Sequence, residues 1–113
     1  MQDLKLRTKK FALDVIRYSR TLPRDDEFII IKRQLIRSAT SAAANYRACQ
    51  RAKSRPDFIS KLGTSEEETD ESLFRLECLQ ELETRKSLAL DHLMQESNEL
   101  VAILTASRRS ARG

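Results

Sequence analysis

The sequence predicts an all-α chain folded as an antiparallel up-down-up-down four-helix bundle. Only two Gly and two Pro occur in 113 residues, which removes most of the turn chemistry that a β fold needs. Apolar residues recur every three or four positions through four successive stretches, the spacing of amphipathic helices. The connections between those stretches are short and polar, and short connections pack consecutive helices antiparallel. A chain of this length builds one core and disfavours a deep, enclosed catalytic chamber.

The first helix spans about residues 3–21, where Leu4, Phe11, Val15, Tyr18 and Leu22 recur at helical spacing between Lys9, Lys10, Asp14 and Arg17. Leu22-Pro23 ends it, because a residue before proline is pushed out of the helical region. Asp25, Asp26 and Glu27 then place negative charge at the positive end of a second helix, about 25–53, with the stripe Phe28, Ile31, Leu35, Ala39, Ala42 and Tyr46. Ser54-Arg55-Pro56-Asp57 resembles a capping box with an early proline and opens a third helix, about 55–83. Its buried face starts apolar at Phe58 and Leu62, turns small and polar at Ser65, Thr69 and Ser72, and ends on Leu76 and Leu79. So slim a face packs only against another slim one. Ala39, Ala42, Ala43 and Ala44 supply it, and a close approach of the second and third helices is expected. Gly63 costs this helix about 1 kcal/mol relative to Ala, which calls for a packing reason or a kink. Thr84-Arg85-Lys86-Ser87 contains neither Gly nor Pro, yet separates the third helix from a fourth over about 88–107, with Leu90, Leu93, Met94, Leu100, Val101 and Leu104 inward. Residues 1–107 thus form one domain, and 108–113 a basic tail expected to fray.

The formal net charge of +4 is unevenly spread. Residues 1–56 carry 14 Lys/Arg against 5 Asp/Glu, and residues 57–113 carry 7 against 12. On a wheel of 100° per residue, Arg33, Arg37, Arg47, Arg51 and Arg55 of the second helix fall within an arc of about 80°, opposite the apolar stripe. Arginine offers a planar fork of donors matched to phosphate, so this ridge could track a nucleic-acid backbone. A solvated face, or one paired with the acidic third helix, is the plainer reading, since no aromatic platform for stacked bases accompanies it. Glu66, Glu67, Asp70, Glu77 and Glu81 form a broad acidic arc on the outside of the third helix, while Glu68 and Glu71 flank its core within reach of Arg37 or Arg47.

Phe74, Cys78 and Leu82 make a second apolar line on the third helix, and Ile29 and Ile36 lie off the main stripe of the second. Either these belong to a broad core-facing arc, or they are a partner surface, self-association being the simplest form. Cys49 and Cys78 are too few for a zinc or disulfide framework and read as buried or interfacial thiols. His92 is the single histidine and has no nucleophile near it in sequence. No phosphate loop, zinc pattern or inward Glu-x-x-His pair is present, so no catalytic residue, cofactor or metal is assigned and the chain reads as a non-enzyme. Asn45, on the flank of the second stripe, reads as a buried, hydrogen-bonded register residue rather than a ligand contact. No stretch approaches the ~20 apolar residues of a membrane span and the first residues lack a signal-peptide hydrophobic region, so a cytoplasmic location is expected.

Residues Gln34-Leu35-Ile36-Arg37-Ser38-Ala39-Thr40-Ser41-Ala42-Ala43-Ala44-Asn45-Tyr46-Arg47-Ala48, followed by Arg55-Pro56-Asp57-Phe58-Ile59-Ser60-Lys61-Leu62, resemble a bacterial four-helix-bundle family that includes proteins encoded in 23S rRNA intervening sequences. The order of features matches over nearly the whole chain. Many members have Glu-Gly soon after the Asn, where this sequence has Arg47-Ala48-Cys49. The resemblance implies a left-handed antiparallel bundle and a ring-shaped homo-oligomer, a pentamer. It also implies similarity in fold to the accessory variability determinant of diversity-generating retroelements, a basic protein that works with nucleic acid and a reverse transcriptase. The functional expectation is an oligomeric bundle that binds RNA or DNA backbone nonspecifically through Arg33, Arg37, Arg47, Arg51 and Arg55, with the lysines of the first helix and the basic tail assisting and with or without a nucleic-acid enzyme as partner. The alternative is a protein-interaction scaffold in which Phe74, Cys78 and Leu82 contact another protein.

Overall fold

A computed structural model describes residues 3–113, which form four α-helices and no strand: α1 (Leu4–Ser19), α2 (Asp26–Cys49), α3 (Arg55–Leu82) and α4 (Leu88–Arg112). Each helix packs on the next in sequence and α4 returns to α1, while α1 and α3, like α2 and α4, face each other across a diagonal. This packing fits a bundle. It measures 45 × 23 × 19 Å, and the 28 residues of α3 account for nearly all of its length at about 1.5 Å per residue.

The starts follow local chemistry. Asp3 accepts from the Leu6 N–H at 3.2 Å, Ser54 from Asp57 at 3.2 Å, and Ser87 from Leu90 at 3.1 Å, each satisfying a donor that the first helical turn leaves open. The box at Ser54 is displaced by one residue, since the Asp57 carboxylate reaches back to the Lys53 N–H at 3.1 Å rather than to Ser54. Two boundaries differ from the sequence reading. Helix α2 stops at Cys49, because Arg51 and Ala52 bond three residues back and tighten the chain into the turn that admits Ser54. Helix α4 does not fray at Ser107 but runs to Arg112, its Ala111 carbonyl accepting from the Arg55 guanidinium and its last turn carrying Arg109 and Arg112 at the negative helix end.

Phe11, Val15, Leu35, Leu76, Leu79 and Leu100 fill the main core, all at most 2% exposed. The expected close approach of α2 and α3 is present. The Ser38 and Ser72 hydroxyls lie 2.7 Å apart, and Ser65 donates to the Ala42 carbonyl of the opposite helix at 2.8 Å. A side chain as short as serine reaches a backbone carbonyl across the seam only where the backbones nearly touch. Gly63 also has its packing reason: a Cβ there would stand 3.4 Å from Arg108 Cδ, whose side chain lies across the glycine to reach Glu66.

Glu66 therefore leaves the solvated acidic arc. Its carboxylate takes Arg108 and the Thr105 hydroxyl, the latter at 2.8 Å, and the Arg108 guanidinium holds it below the usual carboxylate range. A carboxyl depressed in the folded state stabilises above its ordinary pKa of ~4.3, and that contribution is lost as pH falls through the folded value. Glu66→Gln accordingly lowers Tm at pH 7 by roughly 3–6 °C, and the difference from wild type shrinks as pH falls below the ordinary carboxylate range, measured by circular dichroism melts.

Helix α1 is short. Arg7, in its first turns, pairs with Glu96 at 2.6 Å and Glu99 at 2.9 Å near the middle of α4. Beyond that level only α2, α3 and α4 continue, around a second small cluster of Cys49, Leu62 and Leu104 with Tyr46 and Phe58 packed on it. Burial pushes the Cys49 thiol up, as the sequence reading of an enclosed thiol requires; Cys78 is half-buried.

Candidate nucleic-acid interface

After Glu27, α2 has no carboxylate, and its charged residues are Lys32, Arg33, Arg37 and Arg47. All five arginines of the sequence-derived ridge are exposed, yet the structure divides them. Arg37 bridges to α3, its two terminal nitrogens on Glu68 at 2.8 Å and Glu71 at 2.7 Å. Arg55 is the first residue of α3 and closes the end of α4. Arg51 lies in the turn after α2, so neither it nor Arg55 belongs to the wheel that grouped them. Arg33, Arg47 and Arg51 make no ion pair or side-chain hydrogen bond with any described residue.

The wheel puts Arg47 opposite Ser38, the residue that meets α3, on the flank of α2 toward α1, while Arg33 lies on the outer face of α2 between that flank and Arg37. Lys5 and Lys9 project from α1 on the side opposite Arg7 and Asp14, which meet α4, and they too are exposed and unpaired among the described residues. Asp14, the one carboxylate inside α1, is on the far side and occupied by Lys10 at 2.6 Å and Arg17 at 3.0 Å. The α1–α2 side thus carries an excess of cations, with Asp3, the cap of α1 and close enough to act on Tyr46, as a carboxylate beside them. Lys5 and Lys9 are among the first-helix lysines that the sequence reading sets beside the ridge.

The rest of the sequence-derived sites fall elsewhere. Asn45 is half-buried and donates to the Ser41 carbonyl at 2.9 Å, within its own helix, so it fixes no register between helices. Ile36 packs against the core and Ile29 is half-buried, both on the α1 flank of α2 and apart from the outer face of α3. On that outer face Phe74 is 52% and Leu82 49% exposed, with Cys78 between them and the Arg75 guanidinium 5.1 Å from the Phe74 ring centroid. Ile30, 59% exposed and passed over in the sequence, stands level with Cys78 and Leu82 in the register set by the Gln34–Arg75 hydrogen bond. Glu67, Asp70, Glu77 and Glu81 are exposed. His92 is exposed beside a shallow α1–α4 groove that Asp14 and Glu96 also line. No cluster of three or more His, Cys, Asp or Glu among the described residues is arranged to hold a metal, and no described helix is long and apolar enough to cross a membrane.

The family model described as "23S rRNA-intervening sequence protein" matches residues 3–106, all four helices up to the last turns of α4. The chain belongs to that family. Among solved structures it is similar to a protein of unknown function from the S23 ribosomal protein family of Bacteroides thetaiotaomicron, with 28% identity and a TM-score of 0.83 over 92% of this chain and 96% of the other. No curated protein matches the sequence. Within this member of the 23S rRNA-intervening sequence family, the free arginines sit in the segment from Arg33 to Arg51 that also carries the family-like Gln-Leu-Ile-Arg-Ser-Ala run.

Proposed function

We propose that the protein is a non-enzymatic, cytoplasmic helical-bundle protein that binds the phosphate backbone of RNA or DNA without sequence preference. The observation that carries this reading is that Arg33 and Arg47 of α2 and Arg51 of the turn after it are exposed and in no ion pair with a described residue, with Lys5 and Lys9 of α1 exposed and unpaired as well. A cation already held in an ion pair gains little by exchanging one partner for another, whereas an unpaired arginine offers its whole fork to a phosphate. The family's description, which ties it to 23S rRNA, favours RNA. Fluorescence anisotropy with a labelled structured RNA and a duplex DNA, between roughly 50 and 200 mM salt, tests it. Each phosphate contact contributes about 0.9 to the slope of log affinity against log salt, so three to five cations give a slope of about −2.7 to −4.5. Absence of binding at the lowest salt defeats the proposal.

The same reading takes the chain to a homo-oligomer, with a five-membered ring as the form that the family resemblance suggests. Support comes from Ile30, Phe74 and Leu82, whose large apolar side chains stand in solvent on one outer face of the α2–α3 pair. Ile36 drops out of this interface, because it packs against the core, and Ile29 is half-buried on the same flank. Phe74→Glu shifts the mass measured by light scattering toward that of a single chain while the helical circular dichroism signal persists. A scaffold for a different protein would use the same face, and in that case the wild-type chain is already monomeric at micromolar concentration.

A further inference from the structure

Two large apolar side chains of α1 stand outside the core. Leu6 is 63% and Leu13 40% exposed, and at a spacing of seven residues they share one line of the helix, opposite Phe11 and Val15, which enter the core. Cations flank that line. Lys9, Lys10, Arg17 and Arg20 are exposed along the outer half of α1 and its C-cap, and the one carboxylate within the helix, Asp14, is shared by Lys10 and Arg17.

The outer face of α3 has the same plan with the charges reversed. Phe74 and Leu82 are half exposed at a spacing of eight residues with Cys78 midway, so the apolar lines run about 10 Å along α1 and about 12 Å along α3. Glu67, Asp70, Glu77 and Glu81 stand around the α3 line, exposed and in no ion pair with a described residue. Arg75, against the Phe74 ring, is the only cation between Thr69 and Leu82.

Within one copy the two lines never meet, since α1 and α3 lie on a diagonal and share no contact among the described residues. Between copies, charge decides which faces can pair. Two α3 faces laid together double a set of four unpaired carboxylates, and two α1 faces double a set of four cations, so either like pairing is repelled. An α1 face on an α3 face covers both apolar lines and sets the cations against the carboxylates.

We propose that the outer face of α1 docks on the outer face of α3 in a second copy of the chain, with Leu6 and Leu13 against Phe74 and Leu82. This pairing rests on the self-association read from Phe74 and Leu82, and it names the surface that covers them. Because the mated surfaces differ, the contact is head to tail and each copy keeps one face open for the next; copies add into a ring where the rotation closes and into a filament where it does not.

Two variants that each block one face test the pairing by light scattering, alone and mixed. Leu13→Glu sets a carboxylate where α1 meets the acids of α3, and Phe74→Glu removes the ring that α1 covers. At a concentration where the wild type is oligomeric, each variant alone falls to the mass of a single chain. Their equimolar mixture rises to the mass of a dimer, because the first keeps its α3 face and the second its α1 face. Wild-type mass for Leu13→Glu beside a monomeric Phe74→Glu overturns the pairing and leaves self-association through α3 standing, and a mixture that stays monomeric overturns it too. A wild-type chain that is monomeric at every concentration removes the self-association itself. Leu6→Glu, at a more exposed position, takes the place of Leu13→Glu if that variant loses its helical circular dichroism signal. Sedimentation of a monomeric wild type with phosphatidylserine vesicles, abolished by Leu13→Glu, assigns the α1 face to an anionic membrane surface and also overturns the pairing.

Discussion

Replacing Arg47 and Arg51 together with glutamine weakens RNA binding by about 50-fold at 0.1 M salt and lowers the salt slope by about 1.8, the share of two phosphate contacts. Neither arginine holds another residue in place, so the fold and Tm stay at wild-type values, and the loss is read cleanly in anisotropy. Arg37→Gln is the informative contrast. Its guanidinium is already committed to Glu68 and Glu71, so its removal changes affinity far less, even though it lies within the same arc of α2. Equal losses from Arg37→Gln and from Arg47→Gln would mean that simple charge, not the absence of an ion-pair partner, governs binding.

Ala42→Leu destabilises the protein by about 3 kcal/mol, near the upper end for overpacked cores, and lowers Tm by roughly 12 °C or more. Ala42 is 1% exposed and its carbonyl receives the Ser65 hydroxyl from the facing helix, so a leucine there pushes α3 away and strands that hydroxyl. Ala44→Leu, two residues on at an exposed position of the same helix, changes stability by no more than about 0.5 kcal/mol. Denaturant unfolding of the two variants checks the pair, and similar values for both would show that the α2–α3 seam is not the close contact described.

The elements legible in the sequence are those whose cause is local. Ser54, Pro56 and Asp57 announce the start of α3 by themselves, and the alternation of Ala39 and Ala42 with Ser65, Thr69 and Ser72 announces which helices touch. Arg37 meets Glu68 and Glu71 for the same reason, because once two helices are known to be neighbours, charge sign and spacing suffice. The failures have distant causes. Residues 50–53 contain neither Gly nor Pro and by themselves continue α2 to about Lys53, but four residues are needed to reverse direction before the capping serine. Helix α4 keeps its last turn through Arg55, 56 positions earlier, a contact that local composition cannot reveal and that also removes Arg55 from the ridge. Asn45 is hydrogen-bonded as its sequence reading has it, but to Ser41 of its own helix, since bonding within a helix and across helices call for the same side chain. Ile30 was missed since an apolar run, Phe28 to Ile31, hides which member faces out.

The unequal length of the helices has a consequence in time rather than in shape. Because α1 is the shortest helix and meets α4 through a thin seam fixed at Arg7, whereas α2 and α3 are joined by hydroxyls and carbonyls in direct contact, the molecule opens in parts. Amide hydrogens of α1 exchange with solvent first. Those of the α2–α3 pair near Ala39, Ala42 and Ser72 exchange only when the whole chain unfolds, so the pair that carries Arg33 and Arg47 keeps its form while its neighbour comes and goes.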